Sequence, residues 1–310
     1  MTSAVLLALL PIVILTALGL AMRRRRFLAE GFWPQAERLG YFVLLPSLFF
    51  HSLATARVEA VPVGALALTL ILSTLVVAVL VVAARPLFRV DGPAFTSVFQ
   101  GSVRFNNYVG VTLAAGLFGA QGIALAAICN AAIVPTVNVL CVLVFARHGA
   151  ARLTPRGIAR QLATNPLIVS SLAGLAFRLL GWGLPPGLEP ALRTLGAASL
   201  PLGLLCVGAA LEFEGARAWL RPVVSASAMK FLAMPAATLL VASLLGLHGP
   251  ALTTALLFQV LPTASSAYIL ARQLGGDAAL MAGITAVQTV LALVAMPLVL
   301  IGLSAFVPMG

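Results

Sequence analysis

Residues 99–119 read FQGSVRFNNYVGVTLAAGLFG, and residues 258–276 read FQVLPTASSAYILARQLGG. Each begins with Phe-Gln, runs through apolar residues, and meets a polar cluster half-way along. Asn106-Asn107 precedes Tyr108 in the first; Ser265-Ser266 precedes Tyr268 in the second. Pro262 removes a backbone donor from the second stretch and frees a carbonyl one turn earlier. Two long apolar segments interrupted at matching places are a sequence pointer to paired broken helices with a binding site near the bilayer midplane.

The rest of the chain fits a membrane setting. Of 310 residues, 61% are hydrophobic and 9% charged, and the mean hydropathy is +1.10. Soluble domains carry about 25% charged residues, so this chain cannot cover a water-facing surface. Its net charge of +11 is not spread over an aromatic-interleaved patch of the nucleic-acid-binding kind; no nucleic-acid partner is expected. Spans need about 20 apolar residues. Turn and charge signals predict ten of them, at 3–22, 36–55, 61–85, 94–117, 120–146, 163–181, 193–212, 221–247, 250–273 and 278–304. The run from Ala4 to Met22 carries its arginines after it, Arg23 to Arg26, the reverse of a signal peptide, and reads as the first helix.

Orientation follows from the positive-inside bias. With the N-terminus outside, the cytoplasmic loops hold Arg23 to Arg26, Arg38, Arg85, Arg89, Arg147, Arg152, Arg156, Arg160, Arg217, Arg221 and Arg272, fourteen of the nineteen basic residues. The outer loops hold Arg57, Arg178 and Arg193. Both termini are therefore expected outside, in a multi-pass protein of a bacterial cytoplasmic membrane. Arg104 and Lys230 belong to no loop.

The two halves repeat. Pro11, Gly19 and Arg23 recur as Pro166, Gly174 and Arg178, a shift of 155 residues; Leu39-Gly40 and Leu45-Pro46 recur as Leu195-Gly196 and Leu200-Pro201. Each half holds five spans, so the second enters the membrane upside down. The expected fold is an all-α integral membrane protein of ten helices in two inverted five-helix repeats, residues 1–150 and 151–310, with helices four and nine broken. Inverted repeats of this kind mark secondary transporters.

The candidate site is Arg104, Asn106 and Asn107 on the fourth span with Pro262, Thr263, Ser265 and Ser266 on the ninth. A half-helix starting there aims its amides at whatever fills the gap. The alternative for Pro262 is a simple kink, and for the asparagines interhelical packing. Charges at the bilayer centre cost about 2.5–3.5 kcal/mol on insertion scales, so Arg104 and Lys230 need a cavity or partners. All eight carboxylates, Glu30, Glu37, Glu59, Asp91, Glu189, Glu212, Glu214 and Asp277, lie at span ends or in loops. A positive cavity without a buried carboxylate suits an anion. For Arg104 the rival is snorkelling or pairing with carbonyls. Asn130 either lines the cavity or ties helices together; Asn138 reads as packing. Cys129, Cys141 and Cys206 have no ligand spacing, there is no GxxxxGK[ST] loop, and neither a metal nor a cofactor is expected. An intramembrane enzyme would have to use Ser265 or Ser266 with His51.

RFNNYVGVTLAAGLFG, VPTVN at Val134 to Asn138, the Asn165 to Leu167 triplet NPL, and LPTASSAYILARQLGG before Asp277 resemble bacterial members of the auxin efflux carrier family, over nearly the whole chain. The resemblance implies an elevator-type carrier, similar to the plant auxin exporters and distantly to sodium/bile-acid symporters. It implies a static, dimeric scaffold from 3–55 and 163–212 and a mobile transport domain from 61–146 and 221–304. It also implies that broken helices four and nine cross at the midplane beside a substrate-contacting asparagine, matched here by Asn106. The ninth-helix proline matches Pro262, whereas Phe105 stands where the plant proteins have proline. The expected activity is transport of a small organic anion, a mono- or dicarboxylate. The alternative is a membrane receptor that binds such an anion without moving it.

Overall fold

The computed structural model describes residues 2–55, 62–149, 156, 160, 163–211, 220–264 and 266–306. Among these all the regular secondary structure is helical. Helices α1 (Thr2–Arg24), α2 (Phe32–Leu39), α3 (Leu45–Thr55), α4 (Val63–Ala83), α5 (Arg85–Phe88), α6 (Gly92–Val103) and α7 (Asn107–His148) form the first half. Helices α8 (Pro166–Leu179), α9 (Leu188–Ala209), α10 (Leu220–Ala228), α11 (Met234–Leu244), α12 (Gly249–Gln259), α13 (Ser266–Leu274) and α14 (Ala278–Phe306) form the second.

Six stretches are long and apolar enough to cross a membrane: Leu7–Arg24, Val63–Ala83, Gly92–His148, Leu188–Ala209, Leu220–Leu244 and Ala278–Val299. The 57 residues of Gly92–His148 exceed one crossing more than twofold. They bend at Gly119, where φ is 55° and ψ −135°, a conformation open to glycine and costly for other residues. The outer faces agree with a lipid surrounding. Leu7, Ile14, Val79, Leu172, Leu240, Leu244, Val294 and Leu298 are exposed, whereas the polar residues Thr69, Ser73, Gln100, Asn130 and Gln288 are fully buried.

Two helix interruptions share one cause. The segment Gly40–Leu44 is a π turn in which the Leu45 amide bonds the Gly40 carbonyl, and Pro46 follows. Met229–Ala233 is a second π turn, with the Met234 amide on the Met229 carbonyl and Pro235 following. Proline cannot donate to the ladder, and the bonds before it shift by one residue, leaving a π bulge of the kind that gathers at functional sites. Lys230 lies in the second.

Packing is closest between α3 and α8 and between α1 and α9. Glycine makes the second contact possible: a Cβ on Gly19 would lie 2.0 Å from the Leu205 carbonyl oxygen, and one on Gly208 1.9 Å from that of Thr16. Arg23 then places Nη1 2.6 Å from the Ala209 carbonyl, a cation at the C-terminus of α9 where the helix dipole favours it.

The starts of α6 and α14 lie together. Asp91 accepts from the Ala94 amide at 2.9 Å and Asp277 from the Leu280 amide at 2.9 Å, so two of the eight carboxylates are N-caps. The Asp277 amide reaches the Pro93 carbonyl at 3.2 Å, and Ser97 Oγ donates to the Asp277 carbonyl at 2.7 Å. Arg221 donates to the Leu87 carbonyl at the same end. Arg57, Glu59, Arg152, Glu212, Glu214 and Arg217 lie outside the described residues.

Candidate functional site

Helix four breaks without a proline. α6 ends at Val103; Arg104 (φ −76°, ψ 162°) and Asn106 (φ −95°, ψ 108°) are extended, and α7 restarts at Asn107. Asn106 makes the restart possible. Its Oδ1 accepts from the Tyr108 amide at 3.1 Å and the Val109 amide at 3.4 Å, an N-cap that satisfies donors the new helix would leave orphaned. Asparagine therefore does the work expected of proline at this break, and the Asn106 oxygen is committed to the backbone. Only its amide nitrogen is left for a ligand.

Helix nine breaks at Pro262. α12 ends at Gln259, residues 261–264 are irregular, and α13 begins at Ser266. Ser265 lies outside the described residues. The two breaks touch: the rings of Phe105 and Phe258 are 5.9 Å apart, and a Cβ on Gly110 would lie 2.5 Å from a Leu261 methyl carbon.

Gln288 on α14 bridges the breaks. Its Oε1 accepts from the Thr263 amide at 3.1 Å, and its Nε2 donates to the Gly101 carbonyl at 2.9 Å. One fully buried side chain thus serves the last turn of α6 and the irregular segment after α12. Gln259 makes a similar tie, its Nε2 within reach of the Leu70 carbonyl (3.2 Å), Ser73 Oγ (2.8 Å) and Thr74 Oγ1 (3.1 Å) on α4.

Polar groups remain unmatched beside these braces. Asn107 Oδ1 and Thr263 Oγ1 are buried and have no hydrogen-bond partner among the described residues. Native interiors leave few such groups, and at a break between half-helices they suit a ligand. Arg104 is half-buried and donates to Asn138 Oδ1 at 3.2 Å, so its guanidinium is held by the second part of α7. Asn130 donates to the Ala126 carbonyl of its own helix at 2.8 Å; its Oδ1 is unmatched. Ser266 is half-buried at the first position of α13.

A cleft of about 180 Å³ opens beside the breaks, lined by Pro262 and Val109 together with Ile12, Val13 and Thr16 of α1 and Thr289 and Leu293 of α14. His51 lies apart from it, 3.5 Å from Glu189 Oε1. A second cleft, of about 300 Å³, runs along Thr55, Arg178, Trp182 and Glu189. No group of three His, Cys, Asp or Glu side chains able to hold a metal occurs among the described residues.

The chain has relatives among named transport proteins. The chain is 27% identical over 251 residues to a protein of Rhizobium meliloti named "Putative malonate transporter", covering 76% of this chain and 75% of that one. It is 24% identical over 292 residues to an "Uncharacterized transporter" of Methanothermobacter thermautotrophicus, covering 93% and 95%. A family model described as "Membrane transport protein" matches residues 4–300. The chain belongs to this family, that of the auxin efflux carriers it resembles, and is a transport protein rather than an enzyme.

Proposed function

We propose that this protein carries a small organic anion, a mono- or dicarboxylate, across the bacterial cytoplasmic membrane by an elevator-type alternation of access. The observation that carries the reading is the pair of touching helix breaks with unmatched polar atoms, Asn107 Oδ1 and Thr263 Oγ1, beside two helix N-termini. The Asn106 amide nitrogen, Asn107, Thr263, Ser265, Ser266 and the first amides of α7 and α13 bind the substrate, and Pro262 keeps the ninth helix open. Arg104 and Lys230 supply positive potential, and Asn130 offers its unmatched Oδ1. The relative named for malonate supports a carboxylate.

In this reading the six long stretches are part of a set of ten spans. Gly119 divides Gly92–His148 into two, the interruptions at Gly40–Leu44 and after Gln259 conceal two more, and the shorter apolar helix Pro166–Leu179 is the tenth. The tight glycine contacts of α1 with α9, and the packing of α3 on α8, suit a static scaffold (3–55 and 163–212) that pairs with a second copy. Residues 61–146 and 221–304 move as the transport domain, and both termini face outward. With every carboxylate expected from the sequence at a span end or in a loop, uniport driven by the membrane potential is the simplest coupling.

The test is charge movement on liposomes adsorbed to a solid support, with malonate, longer dicarboxylates, monocarboxylates and aromatic acids, each with and without sodium. A substrate-dependent current that Asn107→Ala abolishes supports the reading. If current is absent, radiolabelled exchange decides. Saturable binding with neither current nor exchange overturns transport in favour of a receptor.

A further inference from the structure

Lys230 is the one lysine of the chain and is fully buried, and its Nζ has no hydrogen-bond partner among the described residues. Other buried side chains on the elements around it share that condition: Thr69 Oγ1 on α4, and one side chain each on α10 and α6. Ser227 Oγ, one turn earlier on α10, is unmatched. So are both Gln100 Nε2 and Oε1 on α6, although Gln100 is fully buried. Gln259 shows what a satisfied glutamine in the corresponding Phe-Gln pair does, with three acceptors of α4 in reach.

Lys230, Ser227 and Gln100 belong to one place. α6 packs on α10 and on the π turn that holds Lys230. Contacts fix the register: Arg221 at the start of α10 meets Leu87 just before α6. Further along, a Cβ on Gly101 would lie 3.3 Å from that of Ala226. Gln100 and Ser227 adjoin that contact, and Lys230 lies one turn beyond it, as Arg104 and Phe105 do on the other chain segment. Lys230 therefore sits level with the break in helix four, on the α10 side.

Among the described residues, the elements packed around it carry no acidic side chain. α4, α6 and α11, which pack on or continue the π turn, contain no charged residue, and α10 contains only Arg221, bonded to the Leu87 carbonyl. Arg104, at the break in helix four, is held by Asn138. An ammonium buried without a counter-charge is costly, and three donors (an ammonium, a hydroxyl and a carboxamide) are the means of neutralising it with an anion.

We propose that Lys230, Ser227 and Gln100 form an anion site behind the helix breaks, for a halide ion or a single carboxylate group. The two share one chemistry, a compact monovalent acceptor bound by an ammonium and two neutral donors. Lys230 also lends potential to the crossover, but the site does not rest on that reading, and holds even if the solute carried past Asn107 is neutral.

Thermal unfolding of the purified protein tests it, using potassium chloride and potassium malonate as probes at constant ionic strength made up with potassium HEPES. Both unfolding temperature and the concentration of half-maximal shift are read. The wild type should be stabilised by at least one salt. Lys230→Met should unfold no earlier without anion, since it removes a buried charge, and should need more than tenfold more anion for the same shift. Ser227→Ala and Gln100→Leu should weaken it severalfold, and they serve if Lys230→Met does not fold. Loss of the chloride shift identifies a halide; loss of the malonate shift alone identifies a carboxylate. A wild type insensitive to both salts, or shifts that survive in all three variants when each is combined with Asn107→Ala, overturns the site. Asn107→Ala separates the two readings, since it should lose flux and keep the Lys230-dependent shift.

Discussion

Replacing Gln288 by leucine keeps the side-chain volume near that of the native residue and removes both bonds that join the helix breaks. The Thr263 amide loses its acceptor at 3.1 Å and the Gly101 carbonyl its donor at 2.9 Å. Both groups are buried, so water cannot replace the partner. An orphaned buried polar group costs about 1–3 kcal/mol, giving about 2–6 kcal/mol for the pair. Hydrogen bonds inside membrane proteins average nearer ~0.6 kcal/mol and reach about 1.7, because the unfolded chain in the membrane also finds partners. The lower scale still gives about 1–3 kcal/mol. Large domains shift by about 2–4 °C per kcal/mol, so Gln288→Leu should unfold several degrees early in detergent and lose most flux in liposomes. Gln288→Glu separates the two bonds. Its carboxylate can still accept from Thr263 but opposes the Gly101 carbonyl, so it should be no better than leucine at neutral pH. A leucine variant that unfolds within about 1 °C of wild type and transports normally would refute the brace.

Asn106→Ala should cost about 0.5–2 kcal/mol through loss of the N-cap, whereas Asn106→Asp keeps the acceptor for Tyr108 and Val109. The aspartate variant should unfold like wild type and move an anionic substrate poorly; equal flux would remove Asn106 from the substrate site. Gly208→Val places side-chain atoms where a Cβ already meets the Thr16 carbonyl at 1.9 Å, so little folded protein should elute on size exclusion. A normal yield would show that α1 and α9 are free to separate. Asp277→Ala removes the cap of α14 from the Leu280 amide at 2.9 Å and should lower stability by about 1 kcal/mol, measured as an earlier thermal transition, while Asp277→Asn should lose much less.

The breaks were legible in the sequence because polar pairs inside apolar runs have few other uses in a membrane. Pro262 marked the ninth helix through a rule that acts on its own residue and the preceding turn. In helix four the marker was subtler: Asn106 ends one helix and caps the next through its own side chain, a local effect that asparagine shares with proline's usual place. The carboxylates were legible for the same reason. Asp91 and Asp277 stand immediately before helices whose first amides they accept. What sequence could not yield were the long-range pairings. Gln288 lies 187 residues from Gly101, and nothing in its neighbourhood distinguishes a brace from a cavity lining. Nor could periodicity tell that Arg104 is taken up by Asn138 while Lys230 is not. Both are lone cations in apolar runs, and only the packing of α6 against two different neighbours separates them. Local backbone rules place the interruptions, and tertiary contacts decide which polar groups are spent on holding the interruptions open. The unspent ones, Asn107 and Thr263 at the breaks and Lys230, Ser227 and Gln100 behind them, are where an anion can do what the protein's own groups do not.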